Sequence, residues 1–334
     1  MNKDNILEVR NVHKRFTSKN VTVKAVTDVS FEVKAGQTIG IVGESGCGKT
    51  TLGRCIVRAY NASEGEVWYR TAAGEEIDFL KADKKKMKVI RKEIQMIFQD
   101  PYSSLDPRMT VLDIIEEPLK ANYPDMPKAK MDELAKDMAA KVGLNPTYLM
   151  RYPHAFSGGQ RQRIGIARAL VINPRIIVCD EAVSALDVSI QAQVINLLCD
   201  LQKEMNLTYL FISHDLSVVE HISDRVGVMY LGRMVEYGDT EQIFSHPRHP
   251  YTEALLSAVP VADPNYQNER IPLKGEIPNP ANPPSGCYFH ERCSYCCEQC
   301  CKESPAYIEV EPGHYVACHR ANELKLRGFE SKEE

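Results

Sequence analysis

A glycine-rich turn between a strand and a helix places the strongest constraint on the fold of this chain. The segment Gly43-Glu44-Ser45-Gly46-Cys47-Gly48-Lys49-Thr50 follows the apolar run Gln37–Val42 and precedes a helix predicted from about Thr51. The spacing G-x-x-x-x-G-K-S/T in that context is typical of a phosphate-binding loop. Its glycines let backbone N–H groups point at phosphate oxygens, and the helix N-terminus adds partial positive charge. Lys49 would reach the β- and γ-phosphates, and Thr50 would ligate Mg²⁺.

The same turn also has a purely structural interpretation, because glycines join strands to helices in many folds that bind no phosphate. Lys49 and Thr50 stand in register with the glycines, which weakens that alternative, and the distant segments described below weaken it further. We therefore predict a nucleotide site here. Its candidate contacts are Gly43, Glu44, Ser45, Gly46, Cys47, Gly48, Lys49, Thr50 and Thr51.

Composition limits where the chain acts. Its 334 residues suffice for one large core with an appendage, or for two domains. The formal net charge of −4 gives no global indication of nucleic-acid binding. No apolar run approaches the roughly 20 residues that span a bilayer, and Met1–Asn5 lacks the apolar core of a signal peptide. We expect a cytosolic chain that does not itself enter a membrane.

Apolar strands alternate with helical patterns along most of the chain. Strands are predicted at residues 6–12, 29–33, 37–42, 65–69, 94–99, 176–180, 209–213, 225–230 and 233–237. Helices are predicted at residues 81–92, 111–119, 128–142, 189–204 and 216–222. This alternation predicts an α/β fold with a mostly parallel sheet covered on both faces. From Ser245 onward prolines become frequent, and we interpret that stretch, which includes Pro260 and Pro264, as an extended linker.

Two acidic residues, Asp180 and Glu181, follow the buried strand predicted at residues 176–180. Ligands collect at this end of the strands in open α/β sheets. Asp180 would hold Mg²⁺ or its water ligands, and Glu181 would orient and deprotonate an attacking water. A strand that merely ends in two acidic residues is the alternative, and it is common.

Three further residues are candidate sensors of the γ-phosphate. Gln99 ends a strand beside Asp100-Pro101 and would contact both Mg²⁺ and the water. His214 follows the strand at residues 209–213 and would donate a hydrogen bond to the γ-phosphate. Asp187 would contact the site of a neighbouring subunit. Each residue alone is more often an ordinary loop residue, so the prediction depends on their joint order along the chain.

The segment Ser157-Gly158-Gly159-Gln160 predicts a second helix start that meets phosphate. Its first N–H groups and the serine hydroxyl would face outward. Because the phosphate-binding loop already serves its own nucleotide, this second helix end predicts contact with a different one. That arrangement implies a head-to-tail dimer with ATP between the subunits.

Taken together, these motifs resemble the nucleotide-binding subunit of an ABC transporter. The resemblance implies a P-loop NTPase fold of the RecA type, with a helical subdomain at about residues 101–155. It also implies that Phe16 stacks on adenine and that ATP and Mg²⁺ bind at the motif residues. One departure is present: Ala182-Val183 stands where the family usually has Pro-Thr after the catalytic glutamate.

Segments outside the catalytic motifs resemble the F-type subunits of dipeptide and oligopeptide importers. They are residues 97–110, 249–256, 282–293 and 311–319. The resemblance implies a peripheral ATPase on the cytoplasmic face of the membrane. Its implied partners are a second, different ATPase subunit, two integral membrane permease subunits and an extracellular peptide-binding protein. Related systems carry nickel or glutathione, so these are the alternative cargoes for the same machinery.

The division into domains follows the same resemblance. Residues 1–260 would form the nucleotide-binding domain, and residues 261–334 would form a small cysteine-rich C-terminal extension. Seven of the eleven cysteines lie in this extension, and in a reducing compartment such a cluster indicates metal rather than disulfides. Cys47, Cys55, Cys179 and Cys199 are predicted to be core or near-core residues.

In this branch, four cysteines with the spacing of Cys287, Cys293, Cys300 and Cys318 resemble the ligands of a 4Fe–4S cluster. Zinc is the alternative, since Cys293/Cys296 and Cys297/Cys300 form two C-x-x-C pairs. The role of Cys296, Cys297 and Cys301 stays open.

Two other classes of protein compete with the importer. One is an ABC ATPase that acts on DNA or ribosomes, but the long coiled-coil insertions or paired cassettes typical of that class are not evident in the sequence. The other is a metal-binding regulator with an inactive cassette, which the presence of Asp180, Glu181, Gln99 and His214 disfavours.

Overall fold

The computed structural model describes residues 1–18, 21–259 and 270–329. The chain forms two compact units, each described here by itself. The first unit comprises Met1–Glu8, Glu32–Gln37 and Trp68–Ile212. The second comprises Val9–Phe31, Thr38–Val67 and Ser213–Glu334.

Strands and helices alternate along the described residues, which confirms the predicted α/β class. The strands are β1 (Asn5–Ser18), β2 (Val21–Lys34), β3 (Thr38–Val42), β4 (Glu64–Arg70), β5 (Glu76–Asp78), β6 (Ile94–Ile97), β7 (Ile176–Asp180), β8 (Thr208–Ile212), β9 (Arg225–Tyr230), β10 (Arg233–Asp239), β11 (Ile308–Glu311) and β12 (His314–Val316). The α-helices are α1 (Lys49–Ile56), α2 (Lys84–Glu93), α3 (Val111–Asn122), α4 (Lys128–Lys141), α5 (Gly158–Leu170), α6 (Val188–Met205), α7 (Leu216–Ile222), α8 (Thr240–Ser245), α9 (Pro250–Ser257) and α10 (Glu298–Lys302).

In the first unit, β6, β7 and β8 pair in that order and run parallel. Every residue of β7 and β8 is buried, as expected for apolar strands covered on both faces. Ile97 lies opposite Cys179, and Asp180 lies opposite Ile212. The carboxyl ends of these strands therefore meet at one edge, where the predicted polar residues follow them.

The helix α3 of the first unit confirms the helix predicted at residues 111–119. The hydroxyl of Thr110 caps α3 by accepting a hydrogen bond from the Asp113 N–H at 3.2 Å. The helix continues through Pro118 to Asn122, three residues beyond the predicted end. Its apolar face, including Ile114 and Ile115, is buried in contact with α4 and α5.

In the second unit, five strands pair in the order β11-β12-β10-β9-β3. β3 runs parallel to β9, with Ile41 opposite Gly227. β9 and β10 form at the strands predicted at residues 225–230 and 233–237, and they pair antiparallel as a hairpin whose turn residues Leu231 and Gly232 have φ values of 43° and 80°. Positive φ at both positions is typical of a tight hairpin turn.

The interpretation of the stretch from Ser245 onward as an extended linker is wrong for residues 250–257. They form α9, in which Tyr251 is fully buried and Leu256 is 2% exposed. Pro250 is compatible with this helix because it occupies the first turn, where no N–H partner is needed. The Nδ1 atom of His249 caps the helix by accepting a hydrogen bond from the Tyr251 N–H at 3.0 Å.

The C-terminal residues contribute to the sheet of the second unit, which sequence patterns did not predict. β12 pairs antiparallel with β10, so that Val316 lies opposite Glu236. His314 is fully buried and its Nε2 atom lies 2.8 Å from the Glu236 carboxylate. The predicted boundary between residues 260 and 261, with Pro260 and Pro264, lies outside the described residues. That boundary and the helical subdomain at residues 101–155 stay predictions.

Candidate functional site: nucleotide-binding motifs and a cysteine-lined cavity

The glycine-rich turn of the second unit adopts a conformation that requires glycine. Gly43, Gly46 and Gly48 have φ values of 145°, 78° and 105°. A Cβ atom on Gly48 would lie 2.2 Å from the carbonyl oxygen of Ala25, so a larger residue does not fit. Glycine adopts these φ values without the steric penalty of other residues, so the turn depends on it.

Lys49 lies inside this loop at the start of α1 and is only 4% exposed. Its ammonium group donates hydrogen bonds to the carbonyl oxygens of Gly43 and Glu44 at 2.7 and 3.0 Å. The positive charge is therefore held at the helix N-terminus, where an anion is favoured. Thr50 and Thr51 follow in the first turn of the helix and are half-buried.

The loop cysteine packs into the protein. Cys47 is 2% exposed, and burial raises the pKa of its thiol above the ordinary value. Its carbonyl oxygen accepts a hydrogen bond from the Gly232 N–H at 2.8 Å. Cys55 and Cys179 are also buried and Cys199 is half-buried, which confirms the prediction for these four cysteines.

Two other predicted contacts lie in the second unit. Phe16 is 39% exposed and packs edge-on against Tyr60, with ring centroids 5.5 Å apart, so it has an accessible aromatic ring. His214 is exposed. The N–H of the preceding Ser213 donates to the carbonyl oxygen of Ile41 at 3.1 Å, which places this segment beside the strand that leads into the loop.

The first unit brings Gln99 and Glu181 together. The side-chain amide of Gln99 donates a hydrogen bond to the Glu181 carboxylate at 2.7 Å. Asp180, the last residue of β7, is 1% exposed. Glu181 has a φ of 48°, a left-handed conformation in which a residue other than glycine is strained. The structure thus places all three predicted residues at the carboxyl ends of β6 and β7.

The departure at Ala182-Val183 lies away from the surface. Ala182 and Val183 are 1% and 2% exposed. The turn is closed by Ser184, whose N–H and hydroxyl donate to the carbonyl oxygen of Glu181 at 3.1 and 3.0 Å. The two substituted positions therefore support the turn from within.

Ser157 and Gln160 form a capping box at the start of α5. The Ser157 hydroxyl accepts from the Gln160 N–H at 3.4 Å, and the Gln160 side chain accepts from the Ser157 N–H at 3.0 Å. Gly158 and Gly159 supply the first N–H groups of the helix, which have no partner within it. A Cβ on Gly159 would lie 2.4 Å from Ile190, so this position requires glycine.

Asp187 has a local structural role. Its carboxylate accepts a hydrogen bond from the Ile190 N–H at 3.0 Å and caps α6. The next residue, Val188, is 83% exposed. The predicted contact between Asp187 and a neighbouring subunit stays a prediction.

Four tail cysteines line one cavity of the second unit. Cys287, Cys293, Cys300 and Cys318 face it together with His249 and Phe289. Burial raises the pKa of Cys293 to about 12 and that of Cys318 to about 11. Among residues 1–18, 21–259 and 270–329, no three histidine, cysteine or acidic side chains converge closely enough to hold a single metal ion.

The three remaining tail cysteines make sulfur contacts of their own. The Sγ atoms of Cys297 and Cys300 are 3.4 Å apart, and those of Cys296 and Cys301 are 3.8 Å apart. The lining cysteine Cys300 therefore also contacts a C-x-x-C partner. Cys296 and Cys301 are exposed.

Comparison with known proteins identifies the chain. Residues 26–184 match the ABC transporter family. The oligopeptide transport ATP-binding protein AppF of Bacillus subtilis is 53% identical over 327 residues, which cover 95% of this chain and 98% of the relative.

The chain belongs to the ABC transporter ATP-binding proteins.

Further comparisons refine the position of the chain within this ABC family. Residues 235–300 match the oligopeptide/dipeptide transporter C-terminal region. The oligopeptide transport ATP-binding protein OppF of Escherichia coli is 50% identical, over 95% of this chain and 94% of the relative. The chain therefore belongs to the dipeptide and oligopeptide branch that the sequence motifs predicted.

A solved ABC cassette supports the fold. The dimeric cassette MJ0796, in a post-hydrolysis state with ADP and Pi, is 28% identical and aligns with a TM-score of 0.62. The alignment covers 70% of this chain and 98% of the cassette. The P-loop NTPase class predicted from the sequence is thereby confirmed.

Two contacts to the loop of this ABC protein were not predicted. Tyr251 and Arg292 both bind Glu44, the second residue of the glycine-rich turn. Tyr251 lies within residues 249–256, which resemble the importer branch, so the sequence did mark this segment as one with a functional role. Arg292 is 248 positions from Glu44, and no local pattern marks the pair.

Proposed function

We propose that this chain is the ATP-binding and hydrolysing subunit that energises a membrane ABC importer for dipeptides and oligopeptides. The observation that carries the ATPase assignment is the hydrogen bond between Gln99 and Glu181, which holds the predicted general base at the strand ends. The match of residues 235–300 to the oligopeptide/dipeptide transporter C-terminal region supports a peptide cargo.

The chain's own groups divide the chemistry between them. Lys49 and the loop N–H groups bind the phosphates, and Thr50, Gln99 and Asp180 would hold Mg²⁺. The donor set fits that ion, because it consists of hydroxyl, amide and carboxylate oxygens. Bound Mg²⁺ would neutralise charge that develops on the phosphate oxygens.

Hydrolysis then needs a base and a sensor. Glu181 takes a proton from the attacking water while the water oxygen bonds to the γ-phosphorus and the bond to ADP breaks. Gln99 orients the carboxylate of Glu181, and His214 donates a hydrogen bond to the γ-phosphate. Phe16 stacks on the adenine ring.

A second ATPase subunit completes the site. Ser157, Gly158, Gly159 and Gln160 of one subunit would bind the nucleotide held by the other, and Asp187 would approach the same interface. The α5 N-terminus supports this role because Ser157 caps the helix and because the first N–H groups, from Gly158 and Gly159, have no carbonyl acceptor within the helix. The dimeric state of the related MJ0796 cassette also supports it.

The remaining partners are inferred from the relatives, which are named for oligopeptide transport. Two integral membrane permease subunits would bind the ATPase pair, and an extracellular binding protein would deliver the peptide. Among the residues described, no helix has both the length and the apolar character needed to cross a bilayer. We place the chain at the cytoplasmic face of the membrane as a peripheral subunit.

The cysteine-lined cavity would hold a 4Fe–4S cluster. Four thiols on one cavity suit a cubane, because each thiolate binds a different iron and the sulfurs need not converge on one point. Zinc needs its ligands around a single ion, and no such group of three occurs in the described parts of the chain. The thiols must lose their protons on binding, and burial raises the pKa values of Cys293 and Cys318, so the positive charge of the irons would have to stabilise the thiolates.

An uptake assay tests the proposed function. In a strain that lacks the gene, uptake of a labelled tripeptide is measured after complementation with the wild type, Glu181→Gln or Glu204→Gln. Glu204 is an exposed carboxylate paired with Lys141, so it provides a matched substitution. We expect wild type and Glu204→Gln to restore uptake and Glu181→Gln to fail. Restoration by Glu181→Gln, or no uptake with the wild type, would contradict the proposal.

A further inference from the structure

Arg292 of the cysteine-rich segment forms a two-pronged ion pair with Glu44 of the phosphate-binding loop. Its Nη1 and Nη2 atoms donate to the two carboxylate oxygens of Glu44 at 2.6 and 3.0 Å. The Arg292 side chain is 6% exposed and that of Glu44 is 24% exposed. A bidentate arginine–carboxylate pair fixes the relative orientation of the two groups as well as their separation, so it holds the Glu44 side chain in one orientation.

The backbone of Glu44 is held by a second buried group. The Glu44 N–H donates a hydrogen bond to the hydroxyl of Tyr251 at 2.8 Å, and Tyr251 is fully buried in α9. Arg292 also lies 3.5 Å from the hydroxyl of Tyr230. One residue of the phosphate-binding loop is therefore fixed through both its backbone and its side chain by groups from the last third of the chain.

These groups pack as one cluster. The ring centroids of Tyr230 and Tyr251 are 4.8 Å apart. The ring centroid of Phe289 lies 5.2 Å from that of Tyr230 and 5.3 Å from that of Tyr251. Phe289 also lines the cysteine cavity. Close-packed aromatic rings transmit a displacement of one member to the others.

Arg292 is tied to the cavity through its own backbone. Its N–H donates to the carbonyl oxygen of Phe289 at 3.0 Å, and it directly precedes the lining residue Cys293. Its Nε atom donates to the carbonyl oxygen of Lys274 at 3.4 Å. A shift of the turn from Phe289 to Cys293 must therefore move the guanidinium group that holds Glu44.

Charge gives this contact a consequence for nucleotide binding. Glu44 places a carboxylate in the loop that surrounds the phosphates, and an unpaired negative charge there would oppose the binding of a triphosphate. The guanidinium of Arg292 offsets that charge from the side of the cysteine-rich segment. Loss of Arg292 would leave the carboxylate unpaired and the loop less fixed.

We propose that Arg292 is a positioning residue of the nucleotide site, which orients and neutralises Glu44 and so links ATP affinity to the cysteine-lined segment. The inference rests on the proposed function, because it requires that the glycine-rich loop binds ATP. According to this inference, the cysteine-rich segment directly affects ATP binding by the phosphate-binding loop of the same chain.

The test compares ATP binding and hydrolysis in the full chain. The variants are Arg292→Ala, Arg292→Lys, Glu44→Gln and the double variant Arg292→Ala/Glu44→Gln. The control is Arg248→Ala, which removes an arginine–glutamate pair with Glu311 in the same unit. The Kd of a fluorescent ATP analogue, the KM for ATP, kcat and the melting temperature are measured for each protein.

We expect Arg292→Ala to raise the Kd and the KM about tenfold while kcat changes little, since hydrogen bonds between charged groups contribute on this scale. Arg292→Lys should lie between it and the wild type. The double variant should regain most of the affinity, because the unpaired carboxylate is gone. A purely structural role would not produce this recovery, and Arg248→Ala should bind ATP like the wild type.

An unchanged Kd in Arg292→Ala, or a double variant as weak as Arg292→Ala, would contradict this inference while leaving the proposed function intact. Failure of the wild type to bind ATP would instead contradict the proposed function. If Arg292→Ala does not fold, Arg292→Lys decides the question, because a folded lysine variant with wild-type Kd would refute the positioning role.

Discussion

The side-chain amide of Gln99 donates a hydrogen bond to the Glu181 carboxylate at 2.7 Å. The two residues follow neighbouring parallel strands, β6 and β7, so the sheet register brings them together across 82 positions of sequence. An amide that binds one oxygen of the carboxylate orients the other. The pairing therefore suits a general base whose direction must be set before a water arrives.

Glu181→Gln should abolish most ATP hydrolysis and leave ATP binding intact. Glutamine preserves the shape of the side chain but accepts no proton, and a positioned general base contributes about 10²–10⁴-fold to the rate. Phosphate release and the Kd for ATP are the measurements, with Glu204→Gln as the matched control. If Glu181→Gln hydrolysed ATP at the wild-type rate, Glu181 could not be the general base.

Ser157→Asp should prevent the closed nucleotide dimer without destabilising α5. Aspartate caps a helix about as well as serine, so the fold is retained, but its negative charge opposes the triphosphate of the neighbouring subunit. Ser157→Asn caps equally well without charge, and its side-chain amide can still donate a hydrogen bond to a phosphate, so it should dimerise better than Ser157→Asp. Size-exclusion chromatography with ATP, in the Glu181→Gln background and with the partner ATPase, measures the effect. Normal dimerisation of Ser157→Asp would argue against the shared site.

The stability of the chain should fall as the pH drops below about 6.5, in part because of His249. Burial lowers the pKa of this imidazole to about 3, and its Nδ1 atom already accepts a hydrogen bond from the Tyr251 N–H. The unfolded chain takes up a proton near pH 6.5 and the folded chain does not. The contribution of neutral His249 is therefore complete above pH 6.5 and is lost progressively down to about pH 3.

His249→Asn isolates this effect, because asparagine caps α9 but does not titrate. Between pH 6.5 and 4.5, the free energy of unfolding of the wild type should fall by up to about 1.4 kcal/mol per pH unit more than that of the variant. Urea unfolding at several pH values provides the measurement. Equal slopes in the two proteins would show that His249 is protonated in the folded state.

Cys293→Ser should remove the iron and acid-labile sulfide that the proposed cluster brings. Protein purified without oxygen should carry about four irons per chain, the content of one cubane. Cys301 is exposed and lies outside the predicted ligand set, so Cys301→Ser is the control. Iron, sulfide and zinc are quantified together. Zinc in place of iron in the wild type, or equal iron in both variants, would contradict the assignment.

The parts of the structure that sequence patterns predicted are those encoded locally. Ile176–Asp180 is a continuous apolar run that ends in acid, and it forms β7 with the predicted bounds. The frequent prolines from Ser245 onward favour a linker and so do not predict α9, although Pro250 in the first turn is compatible with a helix. Its burial depends on tertiary contacts that a run of eight residues does not reveal.

The contact between Arg292 and Glu44 is a different case. Arginine and glutamate are ordinarily exposed, so neither residue type predicts a buried partner. Their pairing follows from how the second unit folds over a separation of 248 positions. Local periodicity carries no information about a contact between residues so far apart in sequence, so the contact is evident only in the structure.

The pairing of β12 with β10 affects aggregation, both during translation and after truncation of the C-terminus. Until residues 314–316 have left the ribosome, one side of β10 presents open backbone groups, which other chains readily pair with. A version cut after residue 259 would retain every nucleotide-binding motif, but the edge of β10 that pairs with β12 would stay unpaired. Such a fragment lacks the last 75 residues, including β12, and we expect it to aggregate because β10 then has an open edge.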